Sequence, residues 1–144
     1  MLKCLFLAAL TLCVVGCGKN VGMSGKVTFS DDGSPLTKGT ICFQSSTGLS
    51  RGQMKEDGSF VIGSLEEKDG LPKGDYVVYF SGAVEEDGVD ASGMPKDKNL
   101  LDSKYTTPDA TPLKISVTGK QKIELQVERP EKDEYVSAKL PPAM

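Results

Sequence analysis

The 144-residue sequence contains no histidine and no tryptophan. The first absence removes Ser-His-Asp and Cys-His catalysis and the histidine-bearing zinc sites. No Ser-x-x-Lys occurs to replace them. The second leaves Tyr79, Tyr105 and Tyr135 as the rings with a claim to exposure, too few to argue for stacking against a sugar. Tyr79 suits a strand of a sandwich and Tyr105 a packing anchor. A basic excess is also missing: the formal net charge is -3, and no stripe of Lys and Arg marks a nucleic-acid surface. Of the cysteines Cys4, Cys13, Cys17 and Cys42, only the last lies in the body of the chain. No internal disulfide framework is expected, and a domain of about a hundred residues, burying roughly 65% of its unfolded surface, does not need one. No cofactor or metal site is expected, and the chain reads as a non-enzyme. No apolar run reaches the ~20 residues of a membrane-crossing helix.

What is present begins with a targeting signal. Met1 and Lys3 form a short basic start, and the mostly apolar "LFLAALTLCVV" (Leu5 to Val15) suits an h-region of ~7–15 residues. It ends in Val14, Val15, Gly16 and Cys17, which resembles the bacterial lipobox, with Val14 where Leu is commoner. That resemblance implies cleavage before Cys17 and lipidation of its thiol. Stable anchoring takes more than one acyl chain at ~0.8 kcal/mol per buried CH₂, and a diacylated, N-acylated cysteine meets that need. Cys17 is therefore the expected lipidation site and the membrane the first expected partner. Gly18 is not the Asp that retains lipoproteins at the inner membrane in well-studied Gram-negative systems. An outer-membrane or surface location in a bacterial envelope is expected.

After "GKN" the chain becomes short alternating segments separated by Gly, Pro and Asp, the pattern of an all-β domain. "SGKVTFS" turns Val27 and Phe29 to one side, and "GTICFQS" does the same with Ile41 and Phe43. "DDGSPLTK" between them supplies a turn. "RGQMKEDGSFVIG" (Arg51 to Gly63) reads as a hairpin turning at Asp57 and Gly58. "GDYVVYFSG" (Gly74 to Gly82) is apolar on both faces, so both are expected to be covered. "PLKISVT" and "QKIELQVE" form a last pair, with Leu113, Ile115, Val117, Ile123, Leu125 and Val127 inward and Gly119 at the turn. The expected fold is a seven-stranded antiparallel sandwich, with Phe29, Phe43, Phe60, Phe80, Ile115 and Leu125 in its core.

Two segments fall outside this scheme. Ala83 to Lys104, rich in Asp, Glu, Lys and Gly, reads as a long loop, and such loops are functional or disordered. Pro130 to Met144 reads as a flexible tail. The expected organisation is a signal peptide at 1–16, a lipidated tether at 17–21, a sandwich domain at 22–129 and a tail at 130–144.

The pieces "GKV" (Gly25 to Val27), "GSPL" (Gly33 to Leu36), "GTICF" (Gly39 to Phe43), "EDGSFVI" (Glu56 to Ile62) and "LPKGDYVVYF" (Leu71 to Phe80) resemble, in that order, carboxypeptidase regulatory-like domains. "SKYTTPDATPLKISV" (Ser103 to Val117) resembles the closing part of small planctomycete-type bacterial lipoproteins that carry this domain. The resemblance implies a transthyretin-like, non-catalytic β-sandwich and brings no active-site residues. Cys42 departs from it, standing where such domains more often have Thr. The purine-related transthyretin-like hydrolases rely on histidines absent here.

Three smaller constellations remain. Alternation turns Cys42 away from the Ile41 and Phe43 face, as a covered small hydrophobe or as an intermolecular disulfide or redox-active thiol in an oxidising compartment. With no obvious neighbouring cation to lower its pKa, the first reading is favoured. "EEDGVD" (Glu85 to Asp90) could offer oxygens to Ca²⁺ but lacks the Asp-x-Asp-x-Asp-Gly loop, and solvated charge is the simpler account. Lys26 and Glu124 lack the strand Asn or Asp that an isopeptide crosslink would need. The functional expectation is a lipid-anchored, non-catalytic envelope protein whose sandwich is an interaction or structural module, its partner an unknown envelope protein or glycan. The alternative is a lipoprotein that captures a sugar, peptide or calcium through 83–104.

Overall fold

The computed structural model describes residues 19–63 and 69–136. Its strands are β1 (Met23–Phe29), β2 (Thr40–Ser45), β3 (Gly48–Gln53), β4 (Ser59–Val61), β5 (Gly74–Ser81), β6 (Val84–Val89), β7 (Pro95–Asn99), β8 (Lys114–Val117), β9 (Gln121–Val127) and β10 (Tyr135–Val136). A 3₁₀ turn, Ser103–Tyr105, precedes β8. The strands form a four-stranded sheet β3-β2-β5-β8, a three-stranded sheet β4-β1-β9 and a second three-stranded sheet β10-β7-β6. The first two face each other and enclose the core, so the all-β sandwich expected from the alternating segments is the observed architecture.

Period-two alternation builds that core. Met23, Val27 and Phe29 of β1 meet Ile41 and Phe43 of β2, Phe60 of β4, Tyr76, Val78 and Phe80 of β5, and Leu125 and Val127 of β9. Phe43 links the layers, with its ring centroid 6.3 Å from Phe60 and 6.1 Å from Tyr76. Such aromatic pairs add about 0.5–1.5 kcal/mol beyond their area burial. Of the residues expected inside, Phe29, Phe43, Phe60, Phe80 and Leu125 are buried, whereas Ile115 is only partly so. The reason is its place on β8, at an edge of the four-stranded sheet.

The aspartate-glycine turns form as their sequences demand. Asp57 Oδ1 accepts hydrogen bonds from the Ser59 amide at 2.9 Å and its hydroxyl at 2.6 Å, and Gly58 takes φ 78°. The Asp32 carboxylate does the same for Ser34 at 2.9 and 2.7 Å. The first of these turns does not close a simple hairpin, however. Arg51 and Gly63 exchange two 2.9 Å backbone bonds, but β3 pairs along its length with β2 and β4 with β1. The chain changes layers here.

Five further differences from the sequence expectations concern the number, pairing and cover of the strands. There are ten strands, not seven, among the described residues. The strands β8 and β9 flank Gly119 without pairing: β8 lies against β5 and β9 against β1. An alternating strand with one apolar face fits a hairpin or two facing layers equally well, so its pattern names the face and not the neighbour. The β1–β9 ladder is parallel, from Met23 opposite Gln121 to Phe29 opposite Val127. Finally, 83–104 is not a loop, since β6 and β7 form a hairpin there, and β10 of the expected tail joins it. The outer face of β5 is half-buried at Val77 and Tyr79 rather than fully covered.

Candidate functional site

Cys17, the one site residue expected from the sequence, lies outside the described residues. What the structure does place is the point where the chain enters the domain. Val21 exchanges backbone bonds of 2.9 and 3.1 Å with Leu71, beside the starts of β1 and β9. The opposite end of the sandwich carries the β6-β7-β10 sheet, which leaves the core at Ala83, whose carbonyl accepts from the Leu100 amide at 2.9 Å.

The large exposed apolar side chains of the described residues are Val89, Met94, Tyr135 and Val136, at 65%, 48%, 37% and 48% exposure. All four belong to this projecting unit: Val89 and Met94 at the hairpin tip, Tyr135 and Val136 on β10. Two contacts hold Tyr135: its hydroxyl donates to Asp87 at 2.8 Å, and Lys96 Nζ sits 3.6 Å from the ring centroid. Lys98 pairs with Asp133, which raises the lysine pKa, and the Asn99 amide donates to the Glu134 carbonyl at 2.7 Å. The 130–136 segment is thereby tied to the hairpin.

The acidic run is spent on local structure. Asp90 Oδ1 accepts from the Ser92 amide at 2.8 Å and the Met94 amide at 3.1 Å, closing the hairpin tip. Glu85 reaches Lys38 at 4.0 Å. Among the described residues no three of His, Cys, Asp and Glu come together in a way that could hold a metal ion. The charged, bulged β6 edge also resists pairing with another strand, the irregularity falling between Glu86 and Val89.

Cys42 is buried although it points away from the main core. Its register partners are Arg51 on β3 and Tyr79 on β5, and its thiol donates to the Thr40 carbonyl at 3.9 Å. A cation is thus nearby after all, because β3 pairs with β2 and brings Arg51 alongside. Burial still outweighs it and pushes the thiol pKa up. The result is a covered, protonated thiol rather than a nucleophile. A groove of about 670 Å³ at the end where the chain enters at Val21 runs past Gln44, Ser45, Asp75, Tyr76 and Lys114. Asp75 accepts there from the Ser116 hydroxyl at 2.6 Å.

The sequence reading missed Arg129. Its guanidinium stacks 3.7 Å from the Phe29 ring centroid and bonds Asp31 at 3.1 Å and Ser34 Oγ at 2.8 Å. It closes the core at the end distant from Val21. Only its position just past the last alternating strand could have hinted at this. Tyr105, expected as a packing anchor, is buried in the 3₁₀ turn.

No protein-family model matches the sequence. No curated protein matches it either. Among solved structures, the chain is similar to the crystal structure of BcpA*(D312A), the major pilin subunit of Bacillus cereus, with a TM-score of 0.46 and 13% sequence identity. The match covers 78% of this chain and 30% of the pilin, so the chain spans less than a third of that protein's length.

Proposed function

We propose that the chain is a lipid-anchored, non-catalytic protein of a bacterial envelope whose β-sandwich serves as an interaction or structural module. The observation that carries this reading is the polarity of the domain. The chain enters at Val21 at one end, and the exposed Val89, Met94, Tyr135 and Val136 lie on a sheet projecting from the other. An anchor at Cys17 would hold the first end to the membrane and present the second to a partner. The lipobox-like Val14 to Cys17 supports the anchor, and Gly18 favours the outer membrane or cell surface. The ordered segments from Gly25 to Phe80 support kinship with carboxypeptidase regulatory-like lipoproteins of planctomycete type. Ligand capture by 83–104 has less support, because Asp87 and Asp90 are engaged within the hairpin sheet.

The test has two arms. Cells fed a clickable fatty acid should yield labelled, membrane-retained protein, and Cys17→Ser should abolish both label and retention. A soluble, unlabelled wild-type chain would remove the anchor. A photo-crosslinking side chain at Val89 or Val136 should give a discrete envelope-protein adduct that the same group at Lys114 does not give. Equal adducts from all three positions would remove the projecting sheet as the contact surface.

A further inference from the structure

We infer that the tether end of the sandwich is a basic face that docks on anionic lipid headgroups and stands the domain upright on the membrane. This rests on the lipid-anchor reading and adds to it an orientation. The parallel β1–β9 ladder starts with Met23 opposite Gln121, and the Gln121 amide donates to the Gly22 carbonyl at 3.1 Å. Val117 lies opposite Gly74, and Val21 bonds Leu71. These registers gather Lys19, Lys73, Lys120 and Lys122, all exposed, at one end. Lys120 and Lys122 also border a groove of about 550 Å³ floored by Met23 and Val61, beside the entering chain. Asp69 and Asp75 are the described carboxylates at this end, and both are engaged, Asp75 by the Ser116 hydroxyl.

The opposite end has the reverse balance. Asp31 and Asp32 lie beside the end of β1, Glu85, Glu86 and Asp87 on β6, and Glu131 and Glu134 before β10. Bases are there too, but Arg129 is offset by Asp31 and Asp32, Lys38 by Glu85, Lys98 by Asp133 and Lys104 by Glu128, and against Lys96 and Lys132 stand Glu86, Asp87, Asp90, Glu131 and Glu134. Among the described residues the charge is therefore arranged as a dipole along the strand direction, although the chain's formal net charge is -3. A negative leaflet attracts the lysine end and repels the other, at about fivefold in binding per basic residue near the surface.

Reach makes the effect available. Cys17 and Val21 are four residues apart in the sequence, a span of at most about 14 Å. That is close to the screening length of about 8–10 Å at ordinary ionic strength. A lipidated Cys17 would hold the lysines within range of the headgroup charge.

The experiment uses the lipidated protein in vesicles with a headgroup-level energy-transfer acceptor. The donor dye is placed either at the tether-end turn, by Gly119→Cys, or at the hairpin tip, by Ser92→Cys. Both positions leave the fold undisturbed, since a Cβ at Gly119 meets nothing within 4 Å and Ser92 is exposed. On vesicles containing phosphatidylserine, transfer from the Gly119 position should exceed that from Ser92 severalfold. The difference should shrink on phosphatidylcholine alone, in ~1 M salt where screening acts within ~3 Å, and in K120Q/K122Q. It should persist in K96Q/K132Q, which alters the far end. Equal transfer from the two positions on the anionic vesicles, or a difference indifferent to lipid, salt and the Lys120 and Lys122 changes, overturns the proposal. A chain that carries no acyl label in cells overturns it by removing the anchor, an outcome separate from equal transfer in a labelled chain.

Discussion

Phe43 is fully buried and its ring meets rings from both layers of the sandwich. Phe43→Ala should cost about 3–5 kcal/mol, read as a lower urea midpoint at unchanged slope. A loss under ~1 kcal/mol would mean that the two sheets are not joined through this ring. Cys42 illustrates the limits of alternation at the same scale. Its parity correctly sends it away from Ile41 and Phe43, yet it is buried there, with Arg51 and Tyr79 of the neighbouring strands opposite it. Cys42 should therefore react with a thiol reagent near pH 8 only after the domain unfolds. Rapid reaction in the native state would show that the cover is open.

At the scale of elements, β1 is the strand on which the smaller layer is assembled, with β4 on one side and β9 on the other. Gly25 permits both approaches: a Cβ there would strike the Ile123 carbonyl and come within 2.9 Å of the Phe60 ring. Gly25→Ala should thus destabilise the domain by several kcal/mol, well beyond an ordinary surface glycine change, and unaltered thermal stability would contradict the parallel β1–β9 ladder. The projecting sheet behaves differently because it hardly enters the core. Truncation before Pro130 removes β10 together with the Glu134 carbonyl that holds the Asn99 amide. Hydrogen exchange should speed up at Asn99 and along β7 while the sandwich strands keep their protection. Uniform loss of protection would make the hairpin part of the core. The turn at Asp57 and Gly58 was legible because its chemistry is local. The hairpin over 84–99 was not, since "EEDGVD" and "PKDKN" are polar on both faces and offer no alternation to read.

For the molecule as a whole, the lack of histidine sets the pH response. Hydrogen bonds from Ser34 and Ser59 hold Asp32 and Asp57 below their ordinary value of 3.8. Their contribution to stability is present above that value and is lost as pH falls through the folded one. Burial raises Cys42 above 9.0 and Tyr76, Tyr79 and Tyr105 above 10.0. For these groups the unfolded state ionises first, so stability is unaffected below ~9 and falls as pH climbs toward the folded values. The melting temperature should be flat from about pH 5 to 8, the range in which histidine would titrate, and decline on either side. A step near pH 6.5 would reveal a group that these residues do not provide.

By itself the sequence determined the all-β class, the Asp-Gly turns and most of the aromatic core. Each of these follows from short-range rules of period-two alternation, backbone freedom at glycine and side-chain capping. The tertiary structure alone decided which strands are neighbours. It put β9 parallel to β1, separated β8 from β9, brought Arg51 and Tyr79 around Cys42, and gathered Lys19, Lys73, Lys120 and Lys122 at one end. Those outcomes depend on pairings between residues distant in the chain, where the energy lies in mutual fit and register. An alternating pattern specifies the face a residue turns inward but leaves its partner open.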